Sequence, residues 1–238
     1  MATSVPKGRV LEARALISKR TPYQEADLIV NWLTDSVGQL GTMARGARKS
    51  TRRFTSLEPL HTYAISYADS LHGLASLREA RLVTVRTSLA SNLDAMAVAG
   101  QAIRWARTLL PQKQSEPRAF VVLELLLNAL DERGHEGAVF AEAELARMGL
   151  DLLKIAGYEL QLEACVSCDR PRPPGRPAHL SLSRGGIVCR ACGGGERLLS
   201  PSVFDAIATL SRDECESAGA VRELVSLIDD AVAAHAIA

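Results

Sequence analysis

The chain has 238 residues, of which 47% are hydrophobic and 23% are charged. This length and composition exclude a disordered, collagen-like or membrane-spanning chain, and a core can form without disulfides. The formal net charge of +1 divides unevenly, because residues 1–90 hold 13 Lys or Arg and 7 Asp or Glu, whereas residues 91–238 hold 15 and 20. The net charge is therefore +6 in residues 1–90 and −5 in residues 91–238. A basic N-terminal part favours a module that binds a polyanion, and the alternative is ordinary solvated surface charge.

The sequence shows no pattern typical of export or membrane insertion. Arg9, Glu12 and Arg14 interrupt the first apolar stretch, and no apolar run approaches the ~18 residues that a membrane helix needs. We therefore expect a cytoplasmic protein without a membrane contact. In a reducing compartment, paired cysteines favour metal ligation over disulfides.

Five short β-type patterns follow one another before residue 85. In the first, Leu11, Ala13, Ala15 and Ile17 alternate with more polar residues, and the pattern predicts a strand that ends at a turn over residues 19–22. The other four predicted strands cover residues 27–34, 39–44, 60–67 and 74–85. Five short antiparallel strands in ~80 residues are typical of the OB-fold, a small barrel that binds oligonucleotides. Residues 1–85 are therefore predicted to form a nucleic-acid-binding OB-fold domain.

The hydrophobic period becomes helical after residue 89. An Ala-rich stretch over 89–110 predicts one helix, and apolar stripes beginning at Phe120, Leu145, Phe204 and Leu224 predict four more. Such stripes are core positions. Residues 86–238 are thus predicted to form an α-helical domain, interrupted over about 161–197 by an irregular insertion rich in Pro, Gly and Arg. The predicted fold class is α+β.

Four of the five cysteines lie within this insertion. Cys165 and Cys168 are separated by two residues, twenty residues follow, and Cys189 and Cys192 are again separated by two. Two such pairs can supply four thiolates to one Zn²⁺, and a filled four-sulfur shell is structural because it leaves no open position for catalysis. A redox pair, an iron–sulfur site and incidental buried thiols are the alternatives. Cys215 stands apart and is expected to be unligated.

A dense basic segment follows the third predicted strand. Residues 45–53 contain five cations and no acid, namely Arg45, Arg48, Lys49, Arg52 and Arg53. Such a loop can lay guanidinium groups along a phosphate backbone, and the adjacent Phe54 is a candidate for stacking a base. The alternative for the loop is a solvated turn. For Trp32, farther from the loop, packing inside the barrel is the favoured interpretation.

Motifs for catalysis are weak throughout the sequence. Phosphate-loop, nucleophile-elbow and zinc-protease motifs are absent, and the five histidines show no metal-ligand spacing. Asp27, Glu58 and Asp69 are too isolated in sequence to argue for a nuclease. Non-enzymatic binding is the favoured class. An RNA-binding OB-fold and zinc module, or a metal-dependent nuclease whose acids converge only in the fold, remain as alternatives.

Several short motifs together resemble the bacterial RecO recombination-mediator family. In the first half they are LISKRTPYQEAD (16–27), ARGARK (44–49), LEPL (57–60) and LASLREA (74–80). In the second half they are GY (157–158), the first cysteine pair, GGIVCRAC (185–192) and LSP (199–201). Each motif is modest, but their order and spacing are specific, and the resemblance spans nearly the whole chain.

The resemblance implies an N-terminal OB-fold, a helical domain and an inserted four-cysteine zinc site. It also implies a nucleoid-associated protein that binds single- and double-stranded DNA, anneals complementary strands and, with RecR, helps to load RecA. Further implied partners are the C-terminal tail of single-strand binding protein and, indirectly, RecF. DNA-binding roles carry over onto Arg45, Arg48 and Lys49 in the loop and onto Lys19 and Arg20 in the preceding turn, whereas Arg52 and Arg53 are assigned by charge and proximity. No motif fixes the residues that would meet the tail, and the cationic candidates are Arg104, Arg107 and Arg118.

Overall fold

The computed structural model describes residues 9–50, 52–54, 56–70, 73–210 and 217–236, so Cys215 lies outside the described residues. Its strands are β1 (Val10–Tyr23), β2 (Asp27–Thr34), β3 (Gly38–Ala44), β4 (Thr62–Ala68), β5 (Ala75–Thr84), β6 (Ala178–Ser181), β7 (Gly186–Ile187) and β8 (Arg197–Leu199). Its α-helices are α1 (Leu93–Leu109), α2 (Pro117–Arg133), α3 (Ala138–Ile155), α4 (Pro201–Leu210) and α5 (Ala218–Ala234). The predicted α+β class is confirmed.

The first five strands close into a barrel in the order β1-β2-β3-β5-β4. Closure depends on β1, which pairs with both β2 and β4, and on a short parallel contact between β3 and β5. Trp32 lies fully inside the barrel, where its indole N–H donates to Thr42 Oγ1 at 2.9 Å and its ring meets Tyr63 edge to face at 5.7 Å. The packing role expected for Trp32 is therefore confirmed, and the barrel has the predicted five strands.

One predicted turn is wrong. Lys19 and Arg20 lie within β1, paired with Asn31 and Val30 of β2, and the chain reverses only at residues 24–26. A bulge between Ile17 and Lys19 shifts the register and lets the strand continue. Because β1 leaves β4 after Leu16, its outer edge is open from there on.

Pro22 fits this arrangement, since a proline is tolerated on an unpaired strand edge where no backbone N–H is needed. The ends of β1 and β2 thus form a hairpin extension, in which β3 pairs along β2 as far as Ala44 and the outer edge of β1 is unpaired.

The five helices bury the apolar stripes that the sequence predicts. Phe120, Leu123, Leu127 and Leu130 of α2 and the corresponding residues of α3 and α5 belong to one continuous core. Close packing is most evident at Gly149 of α3, where an added Cβ would lie 2.6 Å from the Trp105 ring and 2.8 Å from Ile228. The helical core also takes in Leu16, Leu33 and Leu60 from the barrel.

A buried arginine joins the barrel to the helices. Arg86, which follows β5, is only 1% exposed, and its guanidinium donates to Asn128 Oδ1 of α2 at 2.7 and 2.9 Å and to the Leu60 carbonyl at 2.8 Å. Thr62 Oγ1 accepts a further hydrogen bond, and Glu124 lies 3.8 Å away. Burial lowers the Arg86 pKa, while Glu124 opposes that shift. Every partner thus compensates the cost of burying this charge.

The insertion is more ordered than its sequence suggests. Strands β7, β6 and β8 form a three-stranded antiparallel sheet that lies between α3 and α4 in the chain. Arg197 in β8 ties this sheet to α5 through Asp230 and through Ser226 Oγ at 3.2 Å. No helix among the described residues is long and apolar enough to cross a membrane.

Replacement of Arg86 by alanine should lower the free energy of unfolding by about 3–5 kcal/mol, because Asn128 Oδ1, the Leu60 carbonyl and Thr62 Oγ1 would lose the donor that satisfies them. Urea denaturation of the full chain measures this change. Arg81→Ala is the matched control, since Arg81 is exposed and, within the described part of the chain, pairs only with Glu79, and it should change stability by about 0.5 kcal/mol or less. Equal losses for the two variants would contradict a special role for Arg86.

Candidate nucleic-acid interface and metal centre

The basic loop is anchored at its base to the extension formed by β1 and β2. The backbone N–H of Arg48 donates to the Ala26 carbonyl at 3.0 Å, and its guanidinium donates to the Glu25 carbonyl at 3.2 Å. Asp27 Oδ1 accepts the N–H of Gly46 at 2.8 Å, and Gly46 adopts a left-handed φ of 69°. Hydrogen bonds therefore hold the backbone of the turn at residues 45–49 in place, although its cationic side chains are exposed.

All five loop cations point to the surface. Arg45, Arg48, Lys49, Arg52 and Arg53 are exposed, and none forms an ion pair with another described residue. Arg53 is oriented by its own neighbours, since it donates to the Arg45 carbonyl at 2.9 Å and lies 5.0 Å from the centroid of the Phe54 ring. The loop therefore gathers unpaired positive charge on one edge of the barrel.

Arg20 faces the same place from the neighbouring strand. Its guanidinium donates to Glu58 Oε1 at 2.8 Å and to the Leu57 carbonyl at 2.7 Å, so part of its charge is already compensated. Arg20 and Arg48 both line an open cleft of about 650 Å³ between the extension and the loop. Lys19 is exposed on the adjacent position of β1 but does not line the cleft, because neighbouring strand residues point to opposite faces.

The expectation for Phe54 is not supported by its position. The side chain is 2% exposed and packs in the barrel core, where residue 54 also bridges to Ala80 of β5. Its ring therefore cannot accept a base without leaving the core. Tyr23, which is 43% exposed at the tip of β1, is the aromatic side chain that remains accessible on this side. Its neighbour Pro22 lines the cleft, so Tyr23 lies close to the cleft and next to the turn at residues 24–26.

The four predicted cysteines converge in the insertion. The Sγ atoms of the four residues all lie within 4.8 Å of one another, namely those of Cys165, Cys168, Cys189 and Cys192. A tetrahedron with Zn–S bonds of ~2.3 Å has edges of about 3.8 Å, and the sulfurs of Cys168 and Cys189 are 3.8 Å apart. Four sulfur donors at this spacing fit a tetrahedral metal ion such as Zn²⁺.

Local backbone geometry produces this convergence. In the first pair the chain turns at Asp169, whose φ is 55°, and its N–H donates to the Cys165 carbonyl at 2.9 Å. Behind the second pair, Gly193 and Gly194 have φ values of 100° and 68°. At Gly195 an added Cβ would lie 2.2 Å from the Leu180 carbonyl oxygen. The glycines after the second pair therefore allow the backbone to approach β6 closely.

Backbone N–H groups stabilise the negative charge of the Cys165 thiolate. Hydrogen bonds led by the N–H of Cys189, which lies 3.3 Å from the Cys165 sulfur, lower the pKa of the buried Cys165 thiol to about 6. The Cys192 thiol donates to the Cys189 and Cys168 sulfurs, and these hydrogen bonds raise its pKa to about 12. Sulfurs this close cannot all ionise unless a cation compensates their mutual repulsion.

Comparison with known proteins extends over both halves of the chain. Residues 9–86 match the family model described as "Recombination protein O N terminal", and residues 90–236 match "Recombination protein O C terminal". The chain is 32% identical to the DNA repair protein RecO of Geobacter sulfurreducens, over 94% of this chain and 92% of that protein. It is also 32% identical to the RecO of Geobacter metallireducens, over 93% and 90%.

A third relative, the DNA repair protein RecO of Anaeromyxobacter sp. strain K, is 31% identical over 83% of this chain and 76% of its own length. The matches therefore cover the barrel, the helices and the cysteine insertion together. On this basis the chain belongs to the RecO family of DNA repair proteins.

Proposed function

We propose that this RecO-family chain is a recombination mediator that works by binding rather than by catalysis. It binds single- and double-stranded DNA through the barrel, anneals complementary strands and, together with RecR, helps RecA to load on strands coated by single-strand binding protein. The observation that carries the proposal is the basic loop, whose base is fixed by hydrogen bonds while its five cations lack ion-pair partners among the described residues.

Annealing requires no covalent step. Two DNA strands repel each other through their phosphates, and a protein that neutralises phosphates on both lowers that repulsion. Contacts restricted to the backbone leave the base edges free to pair. The loop side chains are long, cationic and surface-exposed, which suits contacts of this kind and predicts little sequence preference.

The alternative functions receive less support from the site. A nuclease would use acids near the cleft to hold metal ions, but Asp27 accepts the Gly46 N–H and Glu58 pairs with Arg20. Both carboxylates thus already have structural partners. An RNA-binding role differs only in contacts to the 2′-hydroxyl, so comparison of RNA with DNA of the same sequence distinguishes the two.

We assign the protein partners to the helical half. The acidic, hydrophobic tail of single-strand binding protein would meet exposed cations there, and Arg104 and Arg107 of α1 are exposed without an ion pair among the described residues. Arg118 is a weaker candidate because it pairs with Glu116 at 3.1 Å. RecR is the direct mediator partner, RecF and RecA act indirectly, and the place of action is the cytoplasmic nucleoid.

We further propose that residues 1–85 and 86–238 are the functional domains and that the insertion at about 161–197 holds a structural Zn²⁺. The four thiolates would hold the ion, which would cross-link the two loops of the insertion. No open ligand position remains for substrate, so the ion would stabilise the insertion and take no part in chemistry.

The combined replacement of Arg48, Lys49, Arg52 and Arg53 by alanine should weaken the salt dependence of DNA binding. Each lost phosphate contact should lower the slope of log K against log salt by roughly 0.7 for single strands and 0.9 for duplex. Fluorescence anisotropy over a salt series measures the slope.

The matched control replaces four exposed arginines that form ion pairs, namely Arg81, Arg118, Arg133 and Arg222. This control should keep the wild-type slope. An unchanged slope in the loop variant would remove the loop from the interface.

A second assay separates the three candidate functions. The protein is incubated without and with Mg²⁺ with labelled complementary strands coated by single-strand binding protein. Annealed product without cleavage supports the mediator, and Mg²⁺-dependent cleavage supports a nuclease. In a parallel binding measurement with RNA and DNA of the same sequence, tighter binding of RNA supports an RNA-binding module.

Removal of one sulfur ligand tests the metal centre. Cys165→Ser should reduce bound zinc from one ion per chain to well below one, because three thiolates hold the ion far more weakly than four. The insertion should then become sensitive to protease, while a short single strand still binds at the barrel. Native mass spectrometry, limited proteolysis and anisotropy measure the three properties, and full zinc occupancy in the variant would contradict the proposed ligand set.

A further inference from the structure

The insertion differs in charge from the part of the chain that surrounds it. Residues 161–197 contain six arginines and three acids, a formal net charge of +3. The rest of residues 91–238 contains nine cations and 17 acids, a net of −8. Residues 161–197 are therefore a basic segment within an otherwise acidic part of the chain. The net charge of residues 91–238 as a whole does not reveal this difference.

Three of these arginines are positioned by the metal centre itself. Arg170 follows the first cysteine pair, and its carbonyl accepts the Cys165 N–H at 2.9 Å. Arg190 lies between Cys189 and Cys192, and its carbonyl accepts the Gly193 N–H at 3.1 Å. The Arg184 guanidinium donates to the Cys192 carbonyl at 3.3 Å. All three side chains are exposed, yet each is attached to backbone that the cysteine loops hold in place.

These arginines differ in their partners from three exposed arginines on the helices. Arg118, Arg133 and Arg222 each pair with a glutamate at 3.3 Å or less. Among the described residues, Arg170, Arg184 and Arg190 form no ion pair. Glu196 lies near Arg184, but its carboxylate accepts backbone N–H groups, including that of Leu182 at 2.6 Å, and these lower its pKa. The charge around the metal centre is thus open to an external anion.

The surface fits phosphate better than a peptide. Protein interfaces depend on apolar or aromatic anchors, and within residues 161–197 no large apolar side chain is exposed. Phosphate binding needs no such anchor, and the planar guanidinium suits the oxygens of a phosphodiester. The absence of an exposed aromatic ring also indicates contact with the backbone rather than with stacked bases.

We propose that the insertion is a second DNA-binding surface, on which Arg170, Arg184 and Arg190 hold the phosphate backbone of a second strand. This inference rests on the proposed function, because annealing requires two strands on one protein or protein assembly. The basic loop on the barrel holds one strand and the metal centre holds the other. The cysteine loops thereby acquire a binding role in addition to their role in folding.

The test counts the strands bound by each chain. A fluorescent single strand of about 4–5 nucleotides lies at the short end of the ~4–16 nucleotides that one OB-fold covers, so each strand occupies one surface. The wild-type chain should bind two such strands. The R170A/R184A/R190A variant should bind one, so that the second binding step of the wild-type chain, with a salt slope of about 2 or roughly 0.7 for each of the three contacts, should be lost.

Two variants serve as comparisons. R81A/R133A/R222A removes three exposed but paired arginines and should still bind two strands. The loop variant R48A/K49A/R52A/R53A should bind one strand, at the metal centre. Two strands on the R170A/R184A/R190A variant at full zinc content, or a single strand on the wild-type chain, would overturn the second surface and leave the proposed function intact. A wild-type chain that binds no DNA would instead overturn the proposed function.

The arginines could instead serve only to balance the negative charge of four thiolates around a zinc ion. In that case the R170A/R184A/R190A variant loses zinc, and its strand count no longer tests the second surface. Photo-crosslinking of a thiothymidine-containing strand to the wild-type chain then distinguishes the two roles of the arginines. Adducts mapped to residues 161–197 support the second surface, and their confinement to residues 1–85 overturns it.

Discussion

The arrangement of the whole molecule depends on one buried charge. Arg86 has almost no contact with solvent, and the barrel and helix α2 both contribute to its coordination. A buried guanidinium is tolerated only when its N–H groups find acceptors, so Asn128, the Leu60 carbonyl and Thr62 must keep their relative positions. This requirement fixes the barrel on the helices more specifically than the apolar contacts around it.

Around Arg86 a second layer of contacts repeats the pattern. Arg14 of β1 donates to both oxygens of Glu124 at 2.6 and 2.8 Å, and Thr62 donates to the same carboxylate at 2.9 Å. The Leu89 N–H donates to Asp131 farther along α2. Because these polar groups share partners, loss of one member leaves others unsatisfied. A shared polar network, in addition to apolar contacts, therefore joins the barrel to helix α2.

Local patterns in the sequence predict much of this structure. The alternation in residues 27–34, the stripe that begins at Phe120 and the spacing of the cysteines are each encoded within a short stretch, so the strands, helices and metal ligands follow from them. Three features depend on contacts distant in sequence. The continuation of β1 past Lys19 requires the bulge and an unpaired edge, and the burial of Phe54 requires β5 beside it. The docking role of Arg86 requires α2.

The partners of each cation, more than the net charge, indicate where DNA would bind. Arg86 is already fully coordinated, and releasing it would cost about 3–5 kcal/mol, so it belongs to the fold. Arg20 pairs with Glu58 at the surface, a contact worth at most about 1 kcal/mol, and a phosphate can compete for it. The basic loop and the arginines of the metal centre have no such pair among the described residues, so a phosphate meets them without first breaking an internal contact. Both groups are attached to backbone that hydrogen bonds hold in place, which lowers the entropy lost when a strand binds.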